Sequence, residues 1–261
     1  MIKCENSKCI KCGMCIKACP MGVLKFKKGY PVVNPDKKNS CIVCYHCTAV
    51  CKNQAIYDED NRYISERAKG HRPTLNSEGL SQQIKEKRSI RHFREKHVKR
   101  ELIEDILNTV MWAPSAKNQH PTKWVVISDK TKIEKIMNMV LEEAKDTGRD
   151  QLILSEYSEG NNMVTLDAPH LLLAYSDSSA INGTADSIIA VNTADLLLHE
   201  NGIGTCWTGY LVRFANNSTK IREFLGIAEN SQIYGGLSFG YADHETYDYI
   251  PFRKIAEINW L

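Results

Sequence analysis

Apolar residues recur with helical spacing in three segments of the chain. In the first segment, apolar pairs repeat every four residues and stop before a proline, which predicts an amphipathic helix; the pairs are Leu102 and Ile103, Ile106 and Leu107, and Val110 and Met111. The second segment, residues 133–141, follows Thr131 and Glu134, whose separation predicts a capping box and a helix that begins at Thr131. The third, residues 188–198, is apolar on most sides, so we expect it inside a domain or in a subunit interface.

Short β-type runs alternate with these helices, at residues 124–127, 171–175, 204–207 and 234–239. The alternation predicts an α+β fold in which helices cover an internal sheet. Residues 58–80 are polar and contain two glycines and a proline, which indicates a domain boundary. We therefore expect a small domain over residues 1–60, a linker over 61–80 and a second domain over 81–261.

The small N-terminal domain is dominated by the spacing of its cysteines. Eight of the ten cysteines form two runs of the pattern C-x2-C-x2-C-x3-C, and each position of the second run lies 32 residues after its mate. The runs are Cys9, Cys12, Cys15 and Cys19, then Cys41, Cys44, Cys47 and Cys51. A fixed period marks a duplicated unit. Thiols this close together cannot pair as disulfides without severe strain, so we expect them to share metal centres.

The two runs resemble those of bacterial ferredoxins that carry two 4Fe-4S clusters, over about residues 1–60. In that family the fourth cysteine of each run binds the other cluster. The resemblance therefore implies two crossed ligand sets: Cys9, Cys12 and Cys15 with Cys51, and Cys41, Cys44 and Cys47 with Cys19. One departure is Lys52, which stands where a second proline is usual, whereas Pro20 follows the first run.

One alternative to this interpretation concerns the metal, and the two remaining cysteines need an interpretation of their own. Structural zinc also uses paired CxxC elements and stays open as the other metal. Cys4 and Cys206 lie outside both runs, and we expect each to be a small buried or surface residue and not a ligand.

Charge and hydropathy exclude several classes of partner. The whole chain of 261 residues has a formal net charge of +3, and residues 1–60 hold ten Lys, no Arg and five acidic residues, so the remainder carries −2. Nucleic-acid binding gets no support, because no basic run is interleaved with aromatic residues. No apolar stretch approaches the roughly 20 residues of a membrane span, and the opening residues lack the apolar run of a secretory signal. We therefore expect a cytoplasmic protein that binds neither nucleic acid nor membrane.

Three segments of the second domain carry candidate binding residues. The first is KRSIRHF, from Lys87 to Phe93, in which two guanidinium groups and a hydroxyl can converge on a phosphate. Taken alone, a solvated basic turn explains this segment as well. The other two segments are APSAKNQHPTKWVVI, residues 113–127, and the glycine-rich NGIGTCWTGY, residues 201–210.

In order and spacing, these three segments resemble the signature segments of the FMN-dependent nitroreductase family, over about residues 81–261. The resemblance implies an α+β domain with an antiparallel-rich central sheet, and FMN held between the two subunits of a homodimer. The FMN-binding residues that it implies are Arg88, Ser89, Arg91, Pro114, Ser115, Ala116, Asn118, Thr208, Gly209, Arg253 and Lys254. Of the last two, either could be the cation that reaches the phosphate.

Each segment has an expected part in binding the flavin. Arg88, Ser89 and Arg91 would hold the phosphate end, and Asn118 would hydrogen-bond the pyrimidine edge of the ring. Backbone amides near Thr208 and Gly209 would stabilise the reduced, negatively charged ring, because glycines permit close approach of the backbone. His120 and Thr122 stand where the family usually has glutamine and tryptophan, so the role of His120 stays open.

The combination predicts an FMN- and iron-sulfur-dependent oxidoreductase. Single electrons from a donor such as reduced ferredoxin or NAD(P)H would pass through two 4Fe-4S clusters to FMN, which reduces a small organic acceptor such as a nitroaromatic or a quinone. No catalytic acid or base is required from the protein. No G-x-G-x-x-G in strand-and-helix context is present, which argues against a dedicated nicotinamide domain. Two alternatives stay open: a flavin-carrying electron-transfer protein with a protein acceptor, and a dehalogenating or flavin-converting relative.

Overall fold

The computed structural model describes residues 1–60, 77–243, 250 and 253–261. The chain divides into two compact units, Met1–Thr74 and Leu75–Leu261. The division falls inside the predicted linker, residues 61–80, of which residues 61–76 lie outside the described part. The last four residues of that linker are helical, because the first helix of the second unit begins at Ser77.

The N-terminal unit is built from short elements around a small core. In chain order they are β1 (Ile2–Cys4), α1 (Met14–Lys17), β2 (Leu24–Lys27), β3 (Tyr30–Val33), a 3-10 helix (Pro35–Ser40), α2 (His46–Ala49) and β4 (Ile56–Asp58). Strands β1 and β4 pair antiparallel, as do β2 and β3. The buried centre consists of Cys15, Leu24, Cys47 and Ile56.

The sequence period of 32 residues is repeated in the backbone of this unit. Helices α1 and α2 are each four residues long and stand 32 positions apart. Residues with positive φ recur at the same offset, as the pairs Lys11 and Val43, Gly13 and Tyr45, and Gly22 and Gln54. A β-branched residue such as Val43 rarely adopts this conformation, so a shared structural requirement maintains it in both halves. The predicted duplication is therefore confirmed in three dimensions.

The second unit is an α+β domain, as predicted. Its elements are α3 (Ser77–Glu86), α4 (Arg100–Val110), a 3-10 turn (Ala116–Asn118), β5 (Lys123–Ile127), α5 (Lys130–Thr147), α6 (Gln151–Ser158), β6 (His170–Asp177), α7 (Gly183–Glu200), β7 (Gly204–Trp207), α8 (Gly209–Asn217), α9 (Thr219–Leu225) and β8 (Ser231–Gly240). The four strands form an antiparallel sheet in the order β5-β6-β8-β7. All four predicted β-type runs are confirmed as parts of these strands.

Helices cover both faces of the sheet because side chains alternate along each strand. On β6, Leu171 and Leu173 belong to the core shared with α5, α6, α8 and α9. Their neighbours Leu172 and Ala174 belong to the core shared with α4 and α7. The sheet is thus buried on both sides, which explains why its central strands read as continuous apolar runs.

Helix α7 is mostly buried, as its apolar composition predicts, but two of its large side chains are not. Ile188 and Ile189 are 42% and 38% exposed. The buried face includes two carboxylates, Asp186 and Asp195. No helix of the described ranges is both long and apolar enough to span a membrane.

The predicted start of α5 is wrong by one residue. The helix begins at Lys130, and Asp129 is its N-cap: one carboxylate oxygen accepts hydrogen bonds from the Thr131 and Lys132 amides, at 2.9 and 3.3 Å. The Thr131 hydroxyl donates to the same oxygen at 2.6 Å. Aspartate is a strong N-cap residue, and its carboxylate accepts the bonds that the capping box assigned to threonine.

His170, at the start of β6, is a buried polar side chain with two partners. Its Nε2 accepts a hydrogen bond from the Val98 amide at 2.8 Å, so Nδ1 carries the proton towards the Ser128 hydroxyl, 2.7 Å away. The ring stacks on Phe239 and meets His97 edge-on. Burial, and secondarily the charge of His97, lower the pKa of His170 to about 4.

This lowered pKa predicts a loss of stability in mild acid. Unfolded histidine takes up a proton near pH 6.5 but His170 in the fold does so only near pH 4, so its contribution is complete above pH 6.5 and declines as the pH falls towards 4. We expect the stability advantage of wild type over His170→Gln to shrink by about 2 kcal/mol between pH 7 and pH 5. Urea unfolding followed by tryptophan fluorescence measures this, because all four tryptophans lie in the second unit. A pH-independent difference would contradict the prediction.

Candidate functional site

The thiols of the N-terminal unit fall into two groups that cross between the sequence runs. Cys15 lies within electrostatic reach of Cys12 and of Cys51, which ends the other run. Cys47 in turn lies near Cys41, Cys44 and Cys19. Burial raises the pKa of Cys15 and raises that of Cys47 to about 11. This is the grouping that two crossed ligand sets require.

Backbone amides point at the sulfur atoms of both groups. The amides of Val23 and Ala55 donate to Cys19 and Cys51, at 3.3 and 3.2 Å, and these two bonds are related by the 32-residue offset. The Lys11 amide donates to Cys9 at 3.4 Å. Backbone N–H groups in turns with positive φ form concave anion sites of the kind that iron-sulfur clusters occupy. The unusual φ angles of this unit therefore have a chemical reason.

Within the described ranges, no three His, Cys, Asp or Glu side chains are close enough to hold one metal ion. A cubane spreads its four thiolates over a wider shell than a single ion does, because each thiolate binds a different iron atom. Two observations thus favour clusters in this unit: the crossed grouping of the thiols, and the backbone amides that donate to their sulfur atoms.

Cys4 lies closer to the cysteine runs than its sequence position indicates. It packs on the same core as Cys15 and Cys51. Burial, then a hydrogen bond to the Cys9 side chain and the proximity of Cys9, Cys15 and Cys51, raise the pKa of Cys4 to about 12.

In the second unit, the first predicted motif runs along the edge of the sheet. Ser89 forms a parallel bridge with Thr205 of β7, and the Ile90 amide donates to the Thr205 carbonyl at 2.9 Å. Gly204 makes this approach possible, because a Cβ at that position would lie 2.8 Å from the Ile90 side chain. The first and third motifs are therefore adjacent in space.

Successive side chains of an extended segment point to opposite sides, so the positively charged side chains of Lys87 to Phe93 do not all lie on one side. Lys87, Ser89 and Arg91 surround Cys206. Burial raises the pKa of that thiol, whereas the Arg91 charge and a hydrogen bond with Ser89 act in the opposite direction. Arg88 lies between them in sequence, and its guanidinium donates to the carbonyls of Lys87 and Lys85 at the end of α3. The structure therefore places Ser89 and Arg91 near each other, whereas the Arg88 side chain is bonded to the C-terminal end of α3.

A buried carboxylate on α7, Asp195, connects the first motif to the third. Its oxygens accept hydrogen bonds from the Thr205 hydroxyl and from the Trp207 indole at 3.1 Å. The Lys87 ammonium lies 2.8 Å from the same carboxylate, and both side chains are largely buried. Three donors thus converge on Asp195, which is 3% exposed.

A second buried carboxylate, Asp186, holds the loop of the second motif. Its Oδ1 accepts from the Ala116 amide at 2.9 Å, whereas its Oδ2 is buried with no partner in the described part of the chain. Within the loop, Lys117, Asn118 and His120 all have positive φ. Non-glycine residues in this conformation store strain and cluster at ligand-binding sites.

Ser115 and His120 stabilise the strained loop from within. The Ser115 hydroxyl accepts from the His120 amide, and the Ser115 carbonyl accepts from the Asn118 amide, at 2.9 and 3.0 Å. The His120 Nε2 lies 2.9 Å from the Asn118 amide oxygen. The His120 side chain is thus in contact with Asn118, the residue predicted to bind the flavin ring.

The third motif retains one of its two predicted amide donors. The Thr208 amide already donates to the Gly236 carbonyl at 3.0 Å, and its hydroxyl donates to the Val164 carbonyl at 2.6 Å. Gly209 begins α8, so its amide has no intrahelical acceptor. A Cβ built at Gly209 would meet nothing within 4 Å. The open surface is therefore at Gly209, and the expectation that the Thr208 amide faces the ligand does not fit.

The two candidate cations near the C terminus, Arg253 and Lys254, are exposed and lie in a segment without regular secondary structure. Pro114 is exposed at the start of the second loop, and Ala116 contributes to that loop through the amide bonded to Asp186.

Comparison with known families gives two matches along the chain. The model of the nitroreductase family matches residues 84–241. The chain belongs to the nitroreductase family. A 4Fe-4S dicluster domain matches residues 8–56, so the protein joins a ferredoxin-type domain to a nitroreductase domain, as predicted.

Relatives of the nitroreductase domain agree with this assignment. A protein of Methanothermobacter thermautotrophicus, named provisionally as an NADH dehydrogenase or NAD(P)H nitroreductase, is 30% identical over 162 residues, 60% of this chain and 74% of that one. A nitroreductase with bound FMN from Bacteroides fragilis superposes with a TM-score of 0.61 at 20% identity, covering 70% of this chain and 98% of that one. A nitroreductase with bound FMN from Desulfitobacterium hafniense gives 0.58 at 19% identity, covering 69% and 97%.

The nitroreductase domain uses residues that the motif comparison did not select. Lys87 is one of them, because its charge acts on Cys206 and its ammonium forms the ion pair with Asp195. Asp186 and Asp195 hold the three motifs in position. One signal in the sequence could have revealed the two aspartates, since they are the only charged residues in the stretch 185–198 and buried charges require partners.

Removing the charge of Asp195 should destabilise the nitroreductase domain. In Asp195→Asn the buried Lys87 ammonium loses its counter-ion, and breaking a buried pair in this way costs about 3 kcal/mol. Urea unfolding followed by tryptophan fluorescence measures the loss. The double variant Lys87→Met with Asp195→Leu removes both charges and should recover much of it. Equal stability of Asp195→Asn and wild type would show that the pair does not fasten the first motif to β7.

Proposed function

We propose that this protein is an FMN-dependent oxidoreductase that reduces a small organic acceptor, such as a nitroaromatic or a quinone. Its electrons are relayed through two 4Fe-4S clusters, from a donor such as reduced ferredoxin or NAD(P)H. The observation that carries the proposal is the crossed grouping of the thiols, Cys51 with the first run and Cys19 with the second, on a chain that also contains a nitroreductase domain.

The residues of the nitroreductase domain fit a flavin phosphate at one end of the site. The hydroxyl of Ser89 and the guanidinium of Arg91 lie together near Cys206 of β7, where they supply one hydroxyl and one positive charge. Phosphates are bound by such groups through charge-assisted hydrogen bonds. Arg88, whose guanidinium donates to the Lys87 and Lys85 carbonyls, stays in the proposal as the further cation for the phosphate.

The other end of the site fits a planar polar ring. Asn118 lies on a strained loop that Ser115, His120 and Asp186 hold in place, so its amide is positioned before any ligand binds. The Gly209 amide, with open space beside it, supplies a backbone donor. Donors fixed in advance stabilise developing negative charge without reorganisation.

FMN, when bound, exchanges electrons singly or in pairs and thus joins one-electron carriers to acceptors that take two. The chain's own residues bind and orient this group, and no side chain is required to transfer a proton. The nitroreductase relatives are named for NAD(P)H, but the ferredoxin-type domain supplies a second entry for electrons.

We propose in addition that the protein is a homodimer with FMN at the subunit interface. Large apolar side chains are exposed on α7, at Ile188 and Ile189, and beside the second motif, where Trp112 is 84% exposed. The C-terminal segment exposes Ile255 and Trp260. Exposed apolar side chains of this size would be covered in a subunit interface. A monomeric mass in sedimentation equilibrium would contradict the dimer.

A pair of matched variants tests the electron relay. Cys12→Ala and Cys44→Ala remove equivalent ligands, 32 residues apart, one from each proposed cluster. If the clusters act in series, each variant should abolish reduction of a nitroaromatic driven by reduced ferredoxin. Both should retain FMN that dithionite reduces, which shows that the nitroreductase domain is intact. Anaerobic stopped-flow absorbance separates cluster bleaching from flavin bleaching.

Two outcomes of this experiment would overturn the relay. Normal ferredoxin-driven turnover in either variant would show that its cluster is not on the path. Rapid flavin reduction by NADH in wild type, with cluster bleaching lagging behind, would make the ferredoxin-type domain an outlet for electrons. A purified protein that retains no FMN would overturn the flavin assignment itself.

A further inference from the structure

Four exposed lysines lie together on the surface beside the first run of cysteines. Lys11 belongs to the loop of that run, and its ammonium lies 4.4 Å from the centre of the Tyr30 ring on β3. Lys27 of β2 is paired directly with Tyr30, so it shares a face of the hairpin with that ring. Lys25 lies on the same face, two residues earlier, and Lys28 lies in the turn of the hairpin. We call these four residues the lysine patch.

The lysine patch adjoins the predicted ligands of one cluster. The Lys11 amide donates to the Cys9 sulfur at 3.4 Å, and the next residue, Cys12, is exposed. The β2–β3 hairpin meets this loop at a second point, because a Cβ at Gly13 would lie 3.3 Å from the Phe26 ring. The surface therefore carries its positive charge beside two of the four thiols that would hold the first cluster.

The internal repeat reproduces this contact in the second half of the unit but not its charge. At the 32-residue offset the counterparts of Gly13 and Phe26 are Tyr45 and Asp58, and the Tyr45 hydroxyl donates to the Asp58 carboxylate at 3.0 Å. The counterparts of the lysine patch are Val43, Tyr57, Glu59 and Asp60. Four positive charges in one half thus correspond to two negative charges in the other.

Neutralisation of the clusters does not explain this difference, because two clusters of the same type would carry the same charge. Residues 1–32 hold seven lysines and one acidic residue, whereas residues 33–60 hold three lysines and four acidic residues. Lysines that only balanced the clusters would be divided evenly between the halves. The ion pairs that lysines of this unit form with described residues use Lys3 and Lys8, so they leave the charge of the lysine patch uncompensated.

We propose that the lysine patch docks an acidic protein that carries single electrons, such as a ferredoxin, and that electrons enter this chain at the cluster held by Cys9, Cys12, Cys15 and Cys51. The inference rests on the proposed function and narrows its electron donor to a protein. In the step itself the docked carrier loses one electron and the cluster gains one, while no bond forms and no proton moves.

Charge and chemistry both favour a protein as the occupant of this surface. A positive patch attracts and orients a negatively charged partner, and it acts over a Debye length, about 10 Å at 0.1 M salt. A nicotinamide cofactor is also negatively charged, but it gives up two electrons together as a hydride. A 4Fe-4S cluster accepts one electron at a time, so a one-electron carrier is the donor that suits it.

Two matched triple variants of the full-length protein test this docking surface. The patch variant removes three charges beside the first run: Lys11→Gln, Lys27→Gln and Lys28→Gln. The control variant removes the same charge from the second half of the unit: Lys37→Gln, Lys38→Gln and Lys52→Gln. Because the two variants have equal net charge, a difference between them reports the position of the lysines.

Binding is measured by isothermal titration calorimetry with an oxidised acidic 2Fe-2S ferredoxin, which requires no electron transfer. At low salt the patch variant should bind about tenfold more weakly than wild type, whereas the control variant should stay within about twofold. Ferredoxin-driven turnover of the patch variant should show a raised KM and an unchanged kcat. The difference from wild type should vanish near 1 M salt, where the Debye length is about 3 Å.

Two results would overturn the docking surface. Equal weakening of ferredoxin binding in both variants would show that net charge alone matters. Wild-type affinity in the patch variant, with slower flavin bleaching once dithionite has reduced the clusters, would show that the lysines act within the chain instead.

Failure of the proposed function has a different signature, because calorimetry does not depend on the relay. Patch-dependent binding together with normal ferredoxin-driven turnover in Cys12→Ala would overturn the relay, and with it the point of electron entry. The same result would support the docking surface.

Discussion

The arrangement of the nitroreductase domain depends on one buried ion pair, between Asp195 of α7 and Lys87. The same carboxylate accepts hydrogen bonds from Thr205 and Trp207 on β7. A buried charge is tolerated only when it is paired and hydrogen-bonded, and here the partners come from two segments more than a hundred residues apart. The requirement to satisfy Asp195 thus holds the basic segment against the glycine-rich one.

A comparable constraint acts in the ferredoxin-type domain, where the determining groups are sulfur atoms and backbone amides. Each half of the duplicated unit holds residues at positive φ, including Val43, whose branched side chain disfavours that conformation. The conformation is retained because it directs amides towards the cysteines, as at Cys19 and Cys51. The need to surround an anionic centre with hydrogen-bond donors thus outweighs the local backbone preference of these residues.

Periodicity and motif spacing were sufficient to predict the elements and the order of the domains. The helices at α4 and α7 and the strands β5 to β8 were predicted because their apolar positions repeat with the spacing of the element. The start of α5 was misplaced, since Asp129 and Thr131 both suit an N-cap and only the three-dimensional structure shows which side chain accepts the amides.

The candidate site was predicted less completely, for reasons that concern direction and distance. A motif identifies which residues are near one another in sequence but not which way they face, so it could not show that Arg88 donates to carbonyls at the end of α3. An amide that another strand already uses, as at Thr208, cannot be recognised before the pairing is known. Contacts such as those of Cys4 with Cys9, and of Asp186 with Ala116, depend on tertiary packing, which leaves no local pattern.

The separate anchoring of the motifs has a consequence for how this domain can diversify. Asp195 fastens the first and third motifs, whereas the loop of the second depends on Asp186, nine residues earlier on the same helix. Substitutions in that loop therefore leave the contacts of Asp195 intact. In the proposed function, residues 114–120 could change for a new acceptor while Ser89 and Arg91 still hold the flavin phosphate. Helix α7 thus anchors the three motifs separately, through two aspartates.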